Sequence, residues 1–225
     1  MNNMPGGFER HERTRVKVCG ITRAEDAGCA ADLGVDALGF VFYPASPRYI
    51  APSAAVAIIR DLPPFVSVVG LFVNATQGEI DEVLDICPLD ILQLHGDETP
   101  AFCAAQKRRV IKAVAVRDAA DALRIPAYDC TVLLDAQAPP GVYGGAGKSF
   151  DWSLVAEVQH AHPLILAGGL DAGNVSQALA VRQWDALDVS SAVEISPGIK
   201  DAGKIKRFVD AVQASTTQAA MESMD

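Results

Sequence analysis

The sequence predicts a single α/β domain, a closed (β/α)8 TIM barrel, on three observations. Short apolar runs alternate about eight times with Ala-rich amphipathic stretches. The runs are apolar almost throughout, as strands buried on both faces are, and such alternation calls for a parallel sheet with helices outside it. The 225 residues are few for eight such units but adequate, and can bury a substantial core without disulfides. A doubly wound open sheet is the alternative. Cys19-Gly20-Ile21-Thr22 after the first run is not the Gly-rich fingerprint that would favour it.

Residues 1–14 are expected to be a disordered arm. Met1, Asn2, Asn3, Gly6 and Gly7 offer nothing to a core, and 9–13 is a mixed charge run. The barrel is expected over 15–214. Val16-Lys17-Val18-Cys19 is the first strand, and Thr22 with Glu25 resembles a capping box for a helix over 24–33. The second strand falls at 37–42. Pro52, preceded by Ala51, suits the first turn of a helix over 52–61. The third strand, 67–72, leads to a helix over 77–86. The fourth, 91–94, leads to a helix over 100–107 that Thr99 and Pro100 open. Strand 110–115 is followed by helix 119–124, and strand 130–134 by helix 152–159. Strand 164–167 precedes helix 174–181, and strand 186–190 precedes helix 203–212. Residues 215–225 read as a polar tail.

Lys and Arg number 19 against 28 Asp and Glu, a net charge of −9. That balance disfavours nucleic-acid and anionic-membrane partners, which need a basic surface, yet allows a small anionic substrate at a local positive site. The polar start has no apolar h-region, and no apolar run is long enough to span a bilayer. Five cysteines, at 19, 29, 87, 103 and 130, include no CxxC pair and suit a reducing cytosol, so a cytoplasmic location is expected. The four histidines are scattered, and neither a metal nor an organic cofactor is expected.

In a barrel the active site lies where strands end and βα loops begin. That rule selects Cys19, 42–48, Asn74, 93–97, Asp135, 144–147, Gly168 with Gly169, and 190–194. Cys19 shares a strand face with Lys17. Arg15 and Lys17 are candidate cations to lower its pKa and make it a base or nucleophile; a buried small hydrophobe is the plain alternative. Asp135 ends an apolar strand. Partial desolvation at a barrel mouth would raise its pKa and suit it to general acid work, whereas an Asx-turn or a helix cap would involve no chemistry.

Glycines crowd the following strand ends, at 141–147 and at Gly168-Gly169, and Ser190-Ser191-Ala192-Val193-Glu194 follows the last strand. Such loops let backbone amides approach an anion, and in barrels the loops after strands seven and eight are a recurrent phosphate site. Arg48, beside the stiffening Pro47, is either a bidentate grip on a carboxylate or a solvated surface residue. His95 could titrate near neutral pH, although a loop histidine is more often a bystander. His160 and His162 flank a helix end and read as structural.

Several blocks share one ordered pattern: Lys17-Val18-Cys19-Gly20-Ile21-Thr22-Arg23, Gly39-Phe40-Val41-Phe42, Ser46-Pro47-Arg48-Tyr49, Gln93-Leu94-His95-Gly96 and Leu133-Leu134-Asp135. They continue through 144–147 with Phe150-Asp151-Trp152, Ala167-Gly168-Gly169-Leu170, and 188–194 with Pro197-Gly198. In these blocks, over residues 15–212, the sequence resembles the phosphoribosylanthranilate isomerase family of tryptophan biosynthesis. The resemblance implies an Amadori rearrangement without a cofactor. N-(5-phosphoribosyl)anthranilate becomes 1-(2-carboxyphenylamino)-1-deoxyribulose 5-phosphate. It implies that Asp135 is the acid on the ring oxygen and Cys19 the base on the ribose C2 proton. It implies that Arg48 holds the anthranilate carboxylate. Gly145, Gly147, Gly168, Gly169, Ser191 and Ala192 would surround the phosphate, with Asp188 a supporting polar position. Monomer and homodimer are both compatible with it. Two departures stand out. Ala146 replaces a frequent Thr and removes a hydroxyl contact to phosphate. Ala192 replaces a frequent Gly and adds a methyl where close backbone approach is expected.

Two other readings fit less well. A histidine-pathway aminoaldose isomerase runs the same rearrangement on a similar barrel. Its base, however, is a carboxylate on the first strand, where this chain has Cys19. It also grips two phosphates, and the acidic loop His95-Gly96-Asp97-Glu98 offers no Gly-rich second anion site. A non-catalytic phosphate-binding barrel would require neither Cys19 nor Asp135.

Overall fold

Eight parallel strands close on themselves in chain order in the computed structural model, which describes residues 13–136 and 149–222. They are β1 (Arg15–Cys19), β2 (Ala37–Val41), β3 (Ser67–Phe72), β4 (Ile91–Leu94), β5 (Arg109–Val116), β6 (Thr131–Ala136), β7 (Leu164–Leu166) and β8 (Ala186–Val189). β8 pairs with β1 and completes the barrel, the fold class that the alternating pattern predicts. Side chains alternate between two apolar regions. Val16, Val18, Leu38, Phe40, Val132 and Leu134 pack against the outer helices. Val69, Ile111, Ala113, Leu133, Ile165 and Ala167 fill the barrel itself, and Cys19, Val41, Leu71 and Val73 form a smaller cluster.

The helices outside are α1 (Ala24–Asp32), α2 (Pro52–Ile59), α3 (Gln77–Ile86), α4 (Pro100–Ala104), α5 (Ala119–Ala122), α6 (Val175–Val181) and α7 (Ala202–Glu222). Pro52 and Pro100 stand in first turns as expected, and the Thr99 hydroxyl caps the Phe102 N–H. The capping box expected at Thr22 and Glu25 does not form. Arg23 is the N-cap of α1, and the Thr22 hydroxyl instead donates to the Gly198 carbonyl. A capping box does close α3, between Thr76 and Glu79. The helix expected over 152–159 is one 3-10 turn, Trp152–Val155. Arg182 Nη1 there takes the carbonyls of Val155 and Val158, at 3.1 and 2.9 Å.

Between β8 and α7 lies a two-stranded antiparallel ribbon that the pattern does not predict, β9 (Glu194–Ser196) with β10 (Ile199–Lys200). At the ends of the chain, two boundaries move outward. Arg13 pairs with Asp36, and Thr14 is buried with its hydroxyl on the Trp184 carbonyl, so both belong to the barrel rather than the arm. α7 continues past 212 to Glu222, into the stretch read as a tail. Among the described residues, no helix is long and apolar enough to cross a membrane.

Candidate active site

One pocket is lined together by Cys19, Arg48, Asp135, Gly168, Gly169, Asp188 and Ser191, from six different strand ends and loops. Alternation aims them there. On β1 the inward residues are Lys17 and Cys19, on β6 Leu133 and Asp135, on β8 Ala186 and Asp188.

Lys17 links two of these groups. Its ammonium donates to Asp188 Oδ1 at 2.8 Å and acts electrostatically on the Cys19 thiol beside it. Lys17 and Asp188 are register partners across the β1–β8 seam, and both are buried. Burial pulls the Lys17 ammonium down, but Asp188 and Cys19 outweigh it and hold the group above the ordinary lysine value. Burial pushes the Asp188 carboxyl up, opposed by Lys17 and reinforced by the charge of Asp135.

The Cys19 thiol stands above its ordinary value, contrary to the expectation that neighbouring cations would lower it. Burial is the largest influence and exceeds the pull of Lys17 and Lys200. Arg15, the other cation expected to act, is exposed at the opposite end of β1. Gly39 on β2 makes room for this group. A Cβ there would stand 2.8 Å from Cys19 Sγ and 3.2 Å from Lys17 Nζ.

Behind Cys19, its carbonyl accepts from the Ser190 hydroxyl and the Lys200 ammonium. Lys200 Nζ also reaches Glu194 Oε1 at 2.8 Å. Glu194 in turn takes Arg48 in a fork, Nε–Oε1 2.9 Å and Nη2–Oε2 2.7 Å. Arg48 is therefore no solvated surface residue; two of its five N–H groups are already spent on an internal carboxylate, leaving three for a ligand. Burial would raise Glu194, but Arg48 and Lys200 bring it below the ordinary carboxyl value. Burial lowers the Lys200 ammonium despite Glu194.

Asp135 lies within β6 and is buried. Its Oδ1 accepts the Ala136 N–H at 2.8 Å, and its Oδ2 lies 3.2 Å from His95 Nε2. Neither contact is an Asx-turn or a helix cap, so the carboxyl is held toward the pocket. His95 lines that pocket too, although the sequence sets it aside as a bystander. A usable signal was present: Ile91, Gln93 and His95 stand two residues apart, the spacing of one strand face. Gly168 and Gly169 follow β7 with φ of +80° and +65°. A Cβ on Gly168 would lie 2.5 Å from the Ala136 nitrogen and 2.7 Å from Asp135 Oδ1, so only glycine lets this loop lie against Asp135. Ser191 and Ala192 belong to the 3-10 turn Ser191–Val193. Gly145 and Gly147, with Ala146, lie outside the described residues.

The sequence profile of N-(5'-phosphoribosyl)anthranilate isomerases matches residues 16–211. The chain belongs to this family. An N-(5'-phosphoribosyl)anthranilate isomerase of Pseudomonas putida is 54% identical over 202 residues, 88% of this chain and 97% of the relative. The crystal structure of the Thermotoga maritima phosphoribosylanthranilate isomerase superposes with a TM-score of 0.83 at 44% identity, covering 89% of this chain and 99% of that one. A phosphoribosylanthranilate isomerase in complex with reduced 1-(o-carboxyphenylamino)-1-deoxyribulose 5-phosphate superposes with a TM-score of 0.80 at 42% identity, with the same coverage. The activity is the family's Amadori isomerisation of N-(5-phosphoribosyl)anthranilate in tryptophan biosynthesis.

Set in this family, the Ala192 departure has a structural explanation. Its methyl packs against the main apolar core, so its side chain is directed into the protein body. The other cysteines take no part in the pocket. The Cys87 thiol bonds the Pro52 carbonyl, and Cys103 and Cys130 act on each other's ionisation. His160 bonds the Cys130 carbonyl and His162 pairs with Asp129, the structural roles expected of them.

Proposed function

We propose that Asp135 is the general acid and Cys19 the general base of this isomerisation, on a cytoplasmic enzyme acting as a monomer or homodimer. The observation that carries the reading is the convergence of both groups, Arg48 and two Gly/Ser loops on one pocket. An aldose–ketose shift needs one acid and one base in reach of adjacent carbons.

Asp135 gives its proton to the ribose ring oxygen. The C1–O bond breaks and the nitrogen lone pair forms a C1=N iminium. Cys19, as thiolate, removes the C2 proton. The C–H electrons become the C1=C2 bond of an enolamine, and the iminium electrons return to nitrogen. Tautomerisation places a proton on C1 and leaves the C2 ketone. The thiolate is disfavoured by burial and favoured by Lys17 and Lys200; the iminium cation adjacent to C2 adds to the favourable side. The free N–H groups of Arg48 suit the anthranilate carboxylate. The phosphate suits the backbone of Gly168, Gly169, Ser191 and Ala192, and the family resemblance adds Gly145 and Gly147, which lie outside the described residues. Asp188 keeps Lys17 beside the thiol.

The test follows the loss of anthranilate-type fluorescence when substrate made in situ meets the purified protein. Rapid loss is expected with the wild type, and a fall of about 10²-fold or more in Cys19→Ala and in Asp135→Asn. Retention of full activity by either variant removes that residue from its role.

A further inference from the structure

We propose that His95 is a positioning residue for Asp135, itself oriented by Gln93, and that its Nε2–H holds the carboxylate that proton transfer leaves behind. The inference rests on Asp135 being the acid, as proposed above. Gln93 Nε2 lies 3.0 Å from His95 Nδ1, and His95 Nε2 lies 3.2 Å from Asp135 Oδ2. Once Asp135 has given up its proton its carboxylate only accepts; in that state Nε2 carries the imidazole proton and Nδ1 accepts from the Gln93 amide. Gln93 is fully buried, and its Oε1 has no hydrogen-bond partner among the described residues. An unpaired buried amide oxygen is costly, which gives the contact at the other end of that amide a purpose beyond packing.

The loop carrying His95 is clamped. Glu98 accepts the N–H groups of Gly96 and Asn74, at 2.9 and 2.8 Å. Lys112, buried, holds both Glu98 and the Gly96 carbonyl, at 2.8 and 2.6 Å. A Cβ on Gly96 would run into the Asn74 side chain. His95 therefore faces Asp135 from a fixed base. The two oxygens of Asp135 are then each committed, Oδ1 to the Ala136 N–H and Oδ2 to His95. Once the proton has gone to the ring oxygen, the carboxylate left behind meets a donor on each oxygen, the Ala136 N–H and His95 Nε2–H.

The test compares His95→Leu, His95→Gln, Asp135→Asn and the double variant Asp135→Asn with His95→Leu, reading kcat and KM separately. His95→Leu is expected to lower kcat about 10- to 100-fold, the scale of one lost donor to a charged group, with KM within about threefold. His95→Gln, whose amide N–H can reach the same oxygen, is expected to recover kcat to within about fivefold of wild type. In the Asp135→Asn background, His95→Leu is expected to cost no more than about twofold, because both changes act through one group. His95→Asn keeps a polar group toward Gln93 and withdraws the one toward Asp135; it serves if the Leu variant does not fold. Equal losses in Leu and Gln overturn the proposal, as do a KM effect without a kcat effect and a full additional loss in the double variant. If Asp135→Asn alone leaves turnover intact, the acid assignment fails and the role of His95 falls with it. If Asp135→Asn abolishes turnover while His95→Leu spares kcat, only the His95 inference fails.

Discussion

Arg48 and Glu194 meet edge to edge although 146 residues separate them, with Nε–Oε1 at 2.9 Å and Nη2–Oε2 at 2.7 Å. The same carboxylate also takes Lys200. One buried anion thus holds two cations, tying the loop after β2 to the ribbon that follows β8. It also fixes the guanidinium plane before any ligand arrives.

Glu194→Gln leaves both cations without their counter-ion, Lys200 fully buried. Breaking a buried pair on one side costs about 3–5 kcal/mol, because the stranded charge has no solvent. Urea unfolding at pH 7 should show a midpoint lowered accordingly with an unchanged slope. A loss below about 1 kcal/mol would show that Lys200 sheds its proton instead.

The acid limb of stability follows from the same carboxylate. Its folded value is lowered, so the unfolded chain binds the proton more readily, and stability rises with pH between the folded value and the ordinary carboxyl value of about 4.3. The contribution is present above that range and lost as pH falls through the folded value. In Glu194→Gln the stability–pH curve below about pH 4.3 should therefore be shallower than in wild type. Equal slopes would assign the acid limb to other carboxylates.

The Cys19 thiol should react slowly. Burial holds it above the ordinary value of about 8.5, so alkylation by iodoacetamide should show a pH midpoint higher than that of a free thiol. Lys17→Met removes the principal cation acting on it and should move the midpoint further up. Mass spectrometry of the peptide carrying Cys19 reads both; a midpoint below 8 would mean that the cations dominate after all.

Two glycine substitutions should part company. Gly168→Ala forces a side chain into φ +80° and against Asp135 Oδ1. Displacing the acid by about 1 Å is worth about 10²-fold in rate, so kcat/KM should collapse. Gly28→Ala, inside α1 with nothing within 4 Å of the added Cβ, should keep full activity and gain roughly 1 kcal/mol of stability. Activity and thermal unfolding measured on both separate the cases.

What the sequence made legible was what depends on period and on position along a strand. The apolar runs of β1 to β8 show burial on both faces, and the rule that sites gather at strand ends finds Cys19, Asp135, Gly168 and Ser191 directly. The missing parts depend on contacts between segments distant in the chain. Nothing local in Arg48 reveals that Glu194 faces it. Nothing in Thr22 shows that its hydroxyl is claimed by Gly198 and is therefore lost to the helix it precedes. The thiol of Cys19 was misjudged because neighbouring cations are visible in sequence while the extent of burial is not. His95 stands one residue beyond β4, where a loop histidine is more often a bystander, and only the inward spacing of Ile91 and Gln93 carried one step further points it at the pocket.

The Lys17–Asp188 contact sits at the seam where the first and last barrel strands meet, and Glu194 and Lys200 lie beyond it in sequence. A growing chain therefore makes Lys17 and Cys19 among its first twenty residues. It makes Asp188, which anchors the Lys17 ammonium, and Ser190 and Lys200, which hold the Cys19 carbonyl, only in and after β8. Until the final strand arrives, the Lys17 ammonium lacks its carboxylate and the Cys19 carbonyl its two donors. Barrel closure and the fixing of this end of β1 are then a single event, whatever part of the sheet has formed before β8.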